Sequence, residues 1–244
     1  MSRLLPVFAV LASAATCVPA ADFAPEHDVF FFSQLTAGFT STPSVEVTER
    51  TRSSGGTNTT YAWKDTDKRG TQVAFNNLNG HAQEWGGWVW GIEVNGMTQD
   101  ITPDSFDVND TNYGNGSNST LTYRSFGAAI QAGYQYGIID EPEGISGFLT
   151  IVPFYGLELT RAESEIRTDP QSLSYQRSSG NGWGYDTGIR VGGYLTEKHW
   201  LLGLTIDARY GRSVTNIDFS DGSSSDLTVI RRGVGFGLAG GYRF

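Results

Sequence analysis

The sequence has 244 residues with a formal net charge of -9, 31 glycines, 13% aromatic residues and one cysteine. A hydrophobic content of 39% is too high for a disordered chain. The mean hydropathy of -0.28, without an apolar run long enough for a membrane-spanning helix, argues against a helical membrane protein. The acidic balance disfavours a nucleic-acid partner, because binding to phosphates needs clustered Lys and Arg. The composition fits a single all-β domain.

The N-terminal segment 1–20 is typical of a secretory signal peptide. Arg3 gives it a basic start, Leu4 to Ala15 form an apolar stretch, and Val18-Pro19-Ala20 offers small residues for cleavage. The alternative is a lipoprotein signal with Cys17 as the lipidated residue, which Thr16 fits poorly. Cleavage after Ala20 would remove the cysteine, so the exported chain needs another way to hold its fold, such as closure of a hydrogen-bonded barrel. We expect a signal peptide over 1–20, a periplasmic lead over 21–27 and a barrel over 28–244.

From residue 28 onward, apolar residues recur at every second position, which is the spacing of β-strands. Eight segments show this alternation. Their apolar faces, in chain order, run Val29 to Phe39, Val73 with Phe75, Trp88 to Val94, Phe126 to Tyr134, Leu149 to Leu159, Tyr185 to Leu195, Leu202 to Tyr210, and Val234 to Phe244. The second segment, Thr71 to Asn79, is the weakest. Pro153 lacks an amide hydrogen and predicts a local bulge in the fifth.

The opposite faces of these segments carry glycine, polar and charged residues. A soluble sandwich or barrel would turn its bulky residues inward and its charges outward to water. Here the charges share a face with the glycines, which is the inverse arrangement. Large apolar side chains that meet lipid and small or polar ones that line a narrow interior are typical of a transmembrane β-barrel.

The connections between the segments alternate strictly in length. Residues 41–70, 99–120, 162–182 and 213–226 form long polar gaps, whereas 79–86, 137–146 and 197–199 form short ones. In an outer-membrane barrel the long loops lie outside the cell and the short turns in the periplasm. We predict an antiparallel up-and-down barrel of eight strands. A ten-stranded barrel is the alternative, because Val45 and Val47 alternate and Tyr61-Ala62-Trp63 could pair with them.

Three stretches carry a resemblance to a known family: GWVWGIEV at 87–94, IQAGYQY at 130–136, and the ending GGYRF at 240–244. They resemble the porin-like outer-membrane β-barrel proteins of Gram-negative bacteria, which are related in architecture to small OmpA- and OmpX-type barrels. The resemblance implies a location in the cell outer membrane, in contact with outer-membrane lipid and lipopolysaccharide. It implies little about function, because members range from envelope-stabilising proteins to adhesins and narrow channels.

The end of the chain is similar to the signal by which the barrel assembly machinery recognises its substrates. That signal is a terminal Phe preceded by apolar residues at alternate positions. Phe236, Leu238, Tyr242 and Phe244 match it, and Gly240 departs from it. The resemblance therefore implies the assembly machinery as a partner.

Two sets of residues are candidates for a role in the barrel. Charges on inward faces would meet in a lumen that eight strands leave only wide enough for side chains. Because unpaired charges there are costly, we predict salt bridges, chiefly of Arg190 and Arg209 with neighbouring carboxylates. A narrow polar channel is the alternative. The inward charges are Glu93, Glu158, Asp186, Arg190, Asp207 and Arg209.

Aromatic residues near the segment ends are expected to form a girdle at the membrane interfaces. The expected membrane-interface girdle is Trp88, Tyr136, Tyr155, Tyr185, Trp200, Tyr210 and Tyr242.

The sequence offers little indication of an enzymatic active site or a metal site. An enzyme of the outer membrane would need a base beside a nucleophile near the external rim. His27, His81 and His199 all fall on the predicted periplasmic side, and we predict no catalytic residues, no cofactor and no metal ligands. Clustered Asp oxygens suit Ca²⁺, but Asp also favours turns. The acidic loop that raises the calcium hypothesis contains Asp100, Asp104, Asp107 and Asp110.

The favoured interpretation is a non-enzymatic envelope or surface-recognition protein whose long external loops contact an extracellular ligand. A narrow porin-like channel for small solutes or ions is the second hypothesis. An outer-membrane enzyme is the third.

Overall fold

A computed structural model describes residues 30–41, 44–52, 55–56, 58–65, 70–82, 86–103, 105–109, 111–112, 119–139, 145–166, 176–218 and 224–244. The predicted signal peptide and periplasmic lead lie outside these ranges. Within them, no helix is long and apolar enough to cross a membrane. The regular elements are twelve β-strands: β1 Phe30–Ser41, β2 Ser44–Arg52, β3 Asn58–Asp65, β4 Thr71–Ala82, β5 Gly86–Ile101, β6 Ser105–Val108, β7 Thr111–Asn112, β8 Thr120–Ile139, β9 Ile145–Ile166, β10 Gln176–Glu197, β11 Trp200–Asp218 and β12 Ser224–Arg243.

Eight of these strands close into a ring. Their order is β1-β4-β5-β8-β9-β10-β11-β12, and β12 pairs back with β1, each pair being antiparallel. The predicted eight-stranded antiparallel barrel is thereby confirmed. The end of the ring at which β4, β8 and β10 end and β5, β9 and β11 begin is here called the turn end. The opposite end is called the loop end.

The remaining four strands lengthen the wall at the loop end. β12 pairs with β1 through its C-terminal half, as in Thr40 with Gly237, and with β2 through its N-terminal half, as in Ser44 with Arg232. β3 pairs with β2, β6 with β3, and β7 with β6. The hairpin that suggested a ten-stranded barrel therefore exists as β2–β3. It stands above the ring and does not widen it.

The long connections are shorter than the sequence suggested, because strands continue into them. β9 runs to Ile166 and β10 begins at Gln176, while β11 runs to Asp218 and β12 begins at Ser224. These continuations keep full cross-strand pairing, so hydrogen-bonded wall replaces much of the predicted loop.

The bulge predicted at Pro153 is wrong. The pairing of β8 with β9 has the same register on both sides of the proline, from Gln131 with Phe154 to Tyr134 with Ile151. Two pairs are missing between them, as expected where a proline donates no ladder hydrogen bond. On its other side Pro153 keeps its place in the ladder with β10. The register irregularity in this part of the wall lies nearer the turn end, between Gly137 and Ile139.

The two faces of the wall exchange polarity near the loop end. Through most of the ring the predicted apolar faces are outward and exposed, as for Leu159. On β8 and β9 the next outward residues toward the loop end are Arg124 and Arg161, both exposed, whereas the inward Leu121 and Ala162 are fully buried. On the turn-end side of Arg124 and Arg161 the apolar side chains face outward, and on the loop-end side they face inward. This change marks the boundary between lipid and water.

Candidate functional site

The barrel interior is filled by side chains in successive layers. Nearest the turn end is an apolar layer of four buried residues. A charged layer follows, then a second ion pair, and finally an apolar core inside the loop-end extension. The turn-end layer consists of Phe148, Tyr194, Leu201 and Ala239. The loop-end core consists of Val45, Val47, Trp63, Met97, Ile101, Leu121, Tyr123, Ala162, Ile217, Leu227 and Val229.

Arg190 lies at the centre of the charged layer. Its Nε and Nη2 donate to the two carboxylate oxygens of Asp207, each over 2.8 Å, and its Nη1 donates to Asn76 Oδ1 over 2.9 Å. Nη1 also pairs with Glu93. The bidentate contact follows from the fold, because Arg190 and Asp207 stand directly opposite one another on β10 and β11.

Arg209 forms the second half of the charged layer. Its Nη1 donates to Asp186 Oδ2 over 2.7 Å and to Gln72 Oε1 over 2.6 Å, and its Nη2 donates to Asp207 Oδ2 over 3.2 Å. The inward Phe154 ring lies beneath the guanidinium, with its centroid 4.7 Å from Cζ. Five of the six predicted lumen charges therefore meet in one network: Glu93, Asp186, Arg190, Asp207 and Arg209.

The sixth predicted charge, Glu158, belongs to a separate pair nearer the loop end. Its Oε1 accepts from Arg231 Nη2 over 2.6 Å and from the Tyr123 hydroxyl over 3.1 Å. Tyr123 also bonds Ser213 over 2.9 Å. Sequence reasoning missed Arg231, although the signal was present. It has the same inward parity on β12 as the glycines near the end of that strand, but it lies before Val234, where the predicted segment begins.

Glycine makes room for these large inward groups. A Cβ on Gly211 would lie 2.6 Å from Arg231 Nη2, and a Cβ on Gly188 would lie 2.8 Å from Phe154 Cζ and 2.2 Å from the backbone oxygen of Ala208. The inward glycines therefore leave the space that arginine and phenylalanine side chains from other strands occupy in the lumen.

Aromatic and charged side chains pack closely in the lumen near the turn end. At the turn end, Phe148 and Tyr194 stack with ring centroids 5.2 Å apart, and Arg243 Cζ lies 5.1 Å from the centre of the Phe148 ring. A cavity of about 10 Å³ remains beside Arg190 and Tyr194. A volume of this size holds at most one water molecule.

Glu49 on β2 places a carboxyl group in the loop-end core. Glu49 is 2% exposed, and its Oε1 accepts a hydrogen bond from Ser225 Oγ over 2.8 Å. The other oxygen has no hydrogen-bond partner in the part of the chain that the structure describes. Burial raises the pKa of Glu49 above its ordinary value, and the Ser225 hydrogen bond only partly opposes this. Sequence reasoning placed this region in a long polar gap, with a further hairpin as the alternative, and did not single out the residue.

The aromatic residues predicted as a girdle lie in two groups. At the turn end, Trp88 and Tyr136 both contact the Tyr134 ring, at centroid distances of 5.5 and 4.6 Å, and Trp200 contacts Tyr242 at 5.5 Å. Further toward the loop end, three outward tyrosines of neighbouring strands form a row with centroid distances of 6.3 and 6.2 Å. These are Tyr155, Tyr185 and Tyr210.

The C-terminal residues of the predicted assembly signal lie along β12 and just after it. Phe236 and Leu238 are exposed on the outer face, and Tyr242 contacts the exposed Phe244 with ring centroids 4.9 Å apart. Gly240 interrupts this outward series. The signalling role of these residues stays a prediction.

The residues considered for enzymatic or metal chemistry are dispersed. His199 lies in the β10–β11 turn, where Nδ1 is 3.0 Å from the Arg243 carbonyl oxygen and the ring stacks on Tyr242. His81 is near the end of β4, and His27 lies outside the described residues, as do Asp104 and Asp110. Asp100 accepts a hydrogen bond from Thr122 over 2.8 Å. Among the described residues, no group of His, Cys, Asp or Glu could hold a metal ion.

Comparisons with known proteins give similarities to solved structures of membrane and surface proteins. No family model matches the sequence, and no curated protein matches it. The attachment invasion locus protein Ail of Yersinia pestis is 14% identical over 87% of this chain and 98% of its own, with a TM-score of 0.25. The outer membrane protein OprG of Pseudomonas aeruginosa is 14% identical over 89% and 97%, with a TM-score of 0.41. Neisserial surface protein A is 15% identical over 88% and 97%, with a TM-score of 0.29. The closed strand ring and the outward apolar band of the chain itself identify it as a membrane β-barrel.

Proposed function

We propose that this protein is an integral outer-membrane β-barrel with a closed lumen, which acts as a non-enzymatic envelope or surface-recognition protein. The observation that supports the proposal best is the filling of the interior by side chains from the turn end to the loop-end core. An eight-stranded barrel has room only for such side chains, and here they are paired or packed. The wall therefore separates lipid from a solid core, and the surfaces available to partners are the two ends.

The loop end is the surface that we assign to the cell exterior, and the turn end is assigned to the periplasm. In this proposal the segment 1–20 directs export, and the alternating apolar residues at the end of β12 are recognised by the barrel assembly machinery. Outer-membrane lipid and lipopolysaccharide surround the apolar band.

The loop-end extension supports recognition as the role of the exterior surface. It has its own apolar core, and its outward residues are polar, as in the alternation of Glu46, Thr48 and Arg50 with buried Val45 and Val47 on β2. A surface held by a packed core loses little conformational entropy when it binds a partner. A flexible loop would lose more.

A narrow channel remains the second candidate, because the charged layer would supply ion selectivity if water reached it. The stacked turn-end rings and the cavity of about 10 Å³ favour the closed interior.

An enzyme is the third candidate. Its weakest point is that His199 bonds to the backbone and stacks on Tyr242 at the turn end, away from the surface that would meet external substrates.

Single-channel conductance of the refolded protein in a planar bilayer tests the closed lumen. Folding is verified first by the change in gel mobility on heating. We expect no reproducible conductance steps from the wild type, and none from Arg50→Ala, which removes an outward charge. Arg190→Ala and Arg209→Ala each open space in the charged layer but leave the turn-end rings in place. Discrete steps from the folded wild type that change ion selectivity in these two variants would replace the proposal with the channel.

A further inference from the structure

Four outward side chains stand directly opposite one another across four neighbouring strands. Thr98 of β5 pairs with Arg124 of β8, Arg124 with Arg161 of β9, and Arg161 with Asn181 of β10. All four are exposed. Each carries at least one hydrogen-bond donor, and we call the set the donor row.

The rows on either side of the donor row differ sharply from it. The next row toward the turn end contains Phe126, Leu159 and Trp183, and the latter two are 68% and 69% exposed on the lipid-facing surface. The next row toward the loop end contains the carboxylates of Asp100 and Glu163. The donor row therefore lies at the level where lipid acyl chains give way to headgroups.

The donor row also carries positive charge that the protein neutralises only in part, since Glu163 pairs with Arg161 but Arg124 keeps its charge. Like charges directly opposite on paired strands are destabilising, and Arg124 and Arg161 are such a pair. Glu163 accepts from the Nε of Arg161 over 3.0 Å, which leaves the terminal nitrogens of that guanidinium available. Arg124 has no ion pair within the described portion of the chain. A bound anion would remove the repulsion between the two arginines.

We propose that the donor row binds a phosphate group on the lipid anchor of lipopolysaccharide. This inference rests on the proposed location in the outer membrane. A guanidinium binds phosphate through two parallel hydrogen bonds, and paired arginines flanked by a hydroxyl and an amide suit an anion with several acceptor oxygens. The apolar row below contacts the acyl chains of the same molecule. The carboxylate of Asp100, one row nearer the loop end, disfavours a phosphate at that level, so the phosphate lies at the donor row.

Binding of lipid A to the folded protein in neutral detergent micelles tests this site, with native mass spectrometry as the measurement. The probes are bisphosphorylated lipid A, its dephosphorylated form and phosphatidylglycerol. The test variant is Arg124→Gln with Arg161→Gln. The control is Arg50→Gln with Arg52→Gln, which removes two exposed arginines of β2 and so the same net charge. We expect the wild type to prefer the bisphosphorylated form at least tenfold. The test variant should lose that preference, and the control should keep it.

Three results would overturn the assignment. Equal affinity for both forms of lipid A would show that phosphate is not recognised. Equal losses in the test and control variants would show that only net charge matters, and equally tight phosphatidylglycerol binding would assign the row to ordinary phospholipid. Insertion of every variant into vesicles, followed by the gel mobility shift, is measured separately. Failure of the wild type to insert would instead refute the proposed membrane location.

Discussion

Removing the Arg231–Glu158 ion pair, one partner at a time and then both together, measures how much this luminal pair contributes to stability. The two side chains are each 2% exposed, and their atoms approach to 2.6 Å. Two strands separate β9 from β12 in the ring, so the contact spans the interior and does not join neighbours. The variants are Arg231→Met, Glu158→Leu and the double substitution.

Each single substitution leaves one buried charge without its partner, which costs about 3–5 kcal/mol in the free energy of unfolding. The double variant leaves neither charge. In it Tyr123 keeps its hydrogen bond to Ser213 over 2.9 Å, and the new methionine lies where the guanidinium met the sulfur of Met97 at 3.7 Å. Replacement of a buried ion pair by apolar groups of similar volume is often close to neutral. We therefore expect a coupling energy of about 3 kcal/mol or more between the two positions.

Equilibrium unfolding in urea, followed by tryptophan fluorescence of protein inserted in vesicles, provides the free energies. Arg50→Met serves as a control at an exposed position and should change stability by less than about 0.5 kcal/mol. If the double variant loses as much stability as the two single variants combined, the two side chains are not coupled. The account of the lumen as a set of mutually paired charges would then be refuted.

Two further predictions concern the loop-end core and the glycines. The raised pKa of Glu49 means that the folded state binds the proton more tightly, so stability falls as pH rises above the ordinary value of 4.5. Glu49→Gln should therefore raise the urea midpoint relative to wild type at about pH 8 more than at about pH 4; an equal shift at both values would contradict this. Gly188→Ala brings a Cβ to 2.2 Å from a backbone oxygen and should cost about 1–3 kcal/mol, whereas Gly193→Ala on the same strand, 3.5 Å from its nearest neighbour, should cost far less; equal midpoints for the two would refute the steric argument.

The barrel could be predicted because alternation depends on the sequence alone. Trp88, Trp90 and Ile92 recur at every second position, and the structure places them on the outer face. What alternation does not give is the direction of each face, which depends on whether lipid or water lies outside. Val45 and Val47 show the same period and point inward, because the wall has left the lipid at their level.

Contacts of the candidate site could be predicted where charged residues occupy inward positions of neighbouring predicted strands. Arg190 and Asp207 have inward parity and stand directly opposite one another in the antiparallel pairing. The contacts of Arg209 with Gln72 and of Arg190 with Asn76 join β4 to distant strands, and their pairing depends on barrel stagger that no local pattern contains. The error at Pro153 has a similar origin. One missing hydrogen bond is a local signal, whereas the register is held by the full ladder with β10.

Because β12 pairs with both β1 and β2, the ring and the loop-end extension depend on the same strand. Its C-terminal half closes the ring, and its N-terminal half supports the loop-end extension. The contact between Phe236 and Ser41 joins residues 195 positions apart, so it forms only when the last part of the chain has been delivered. A chain that lacks its final strand would leave the ring open and would remove the strand on which the loop-end extension pairs. Under the proposed recognition function, only completely assembled molecules would then present the loop-end surface to a partner.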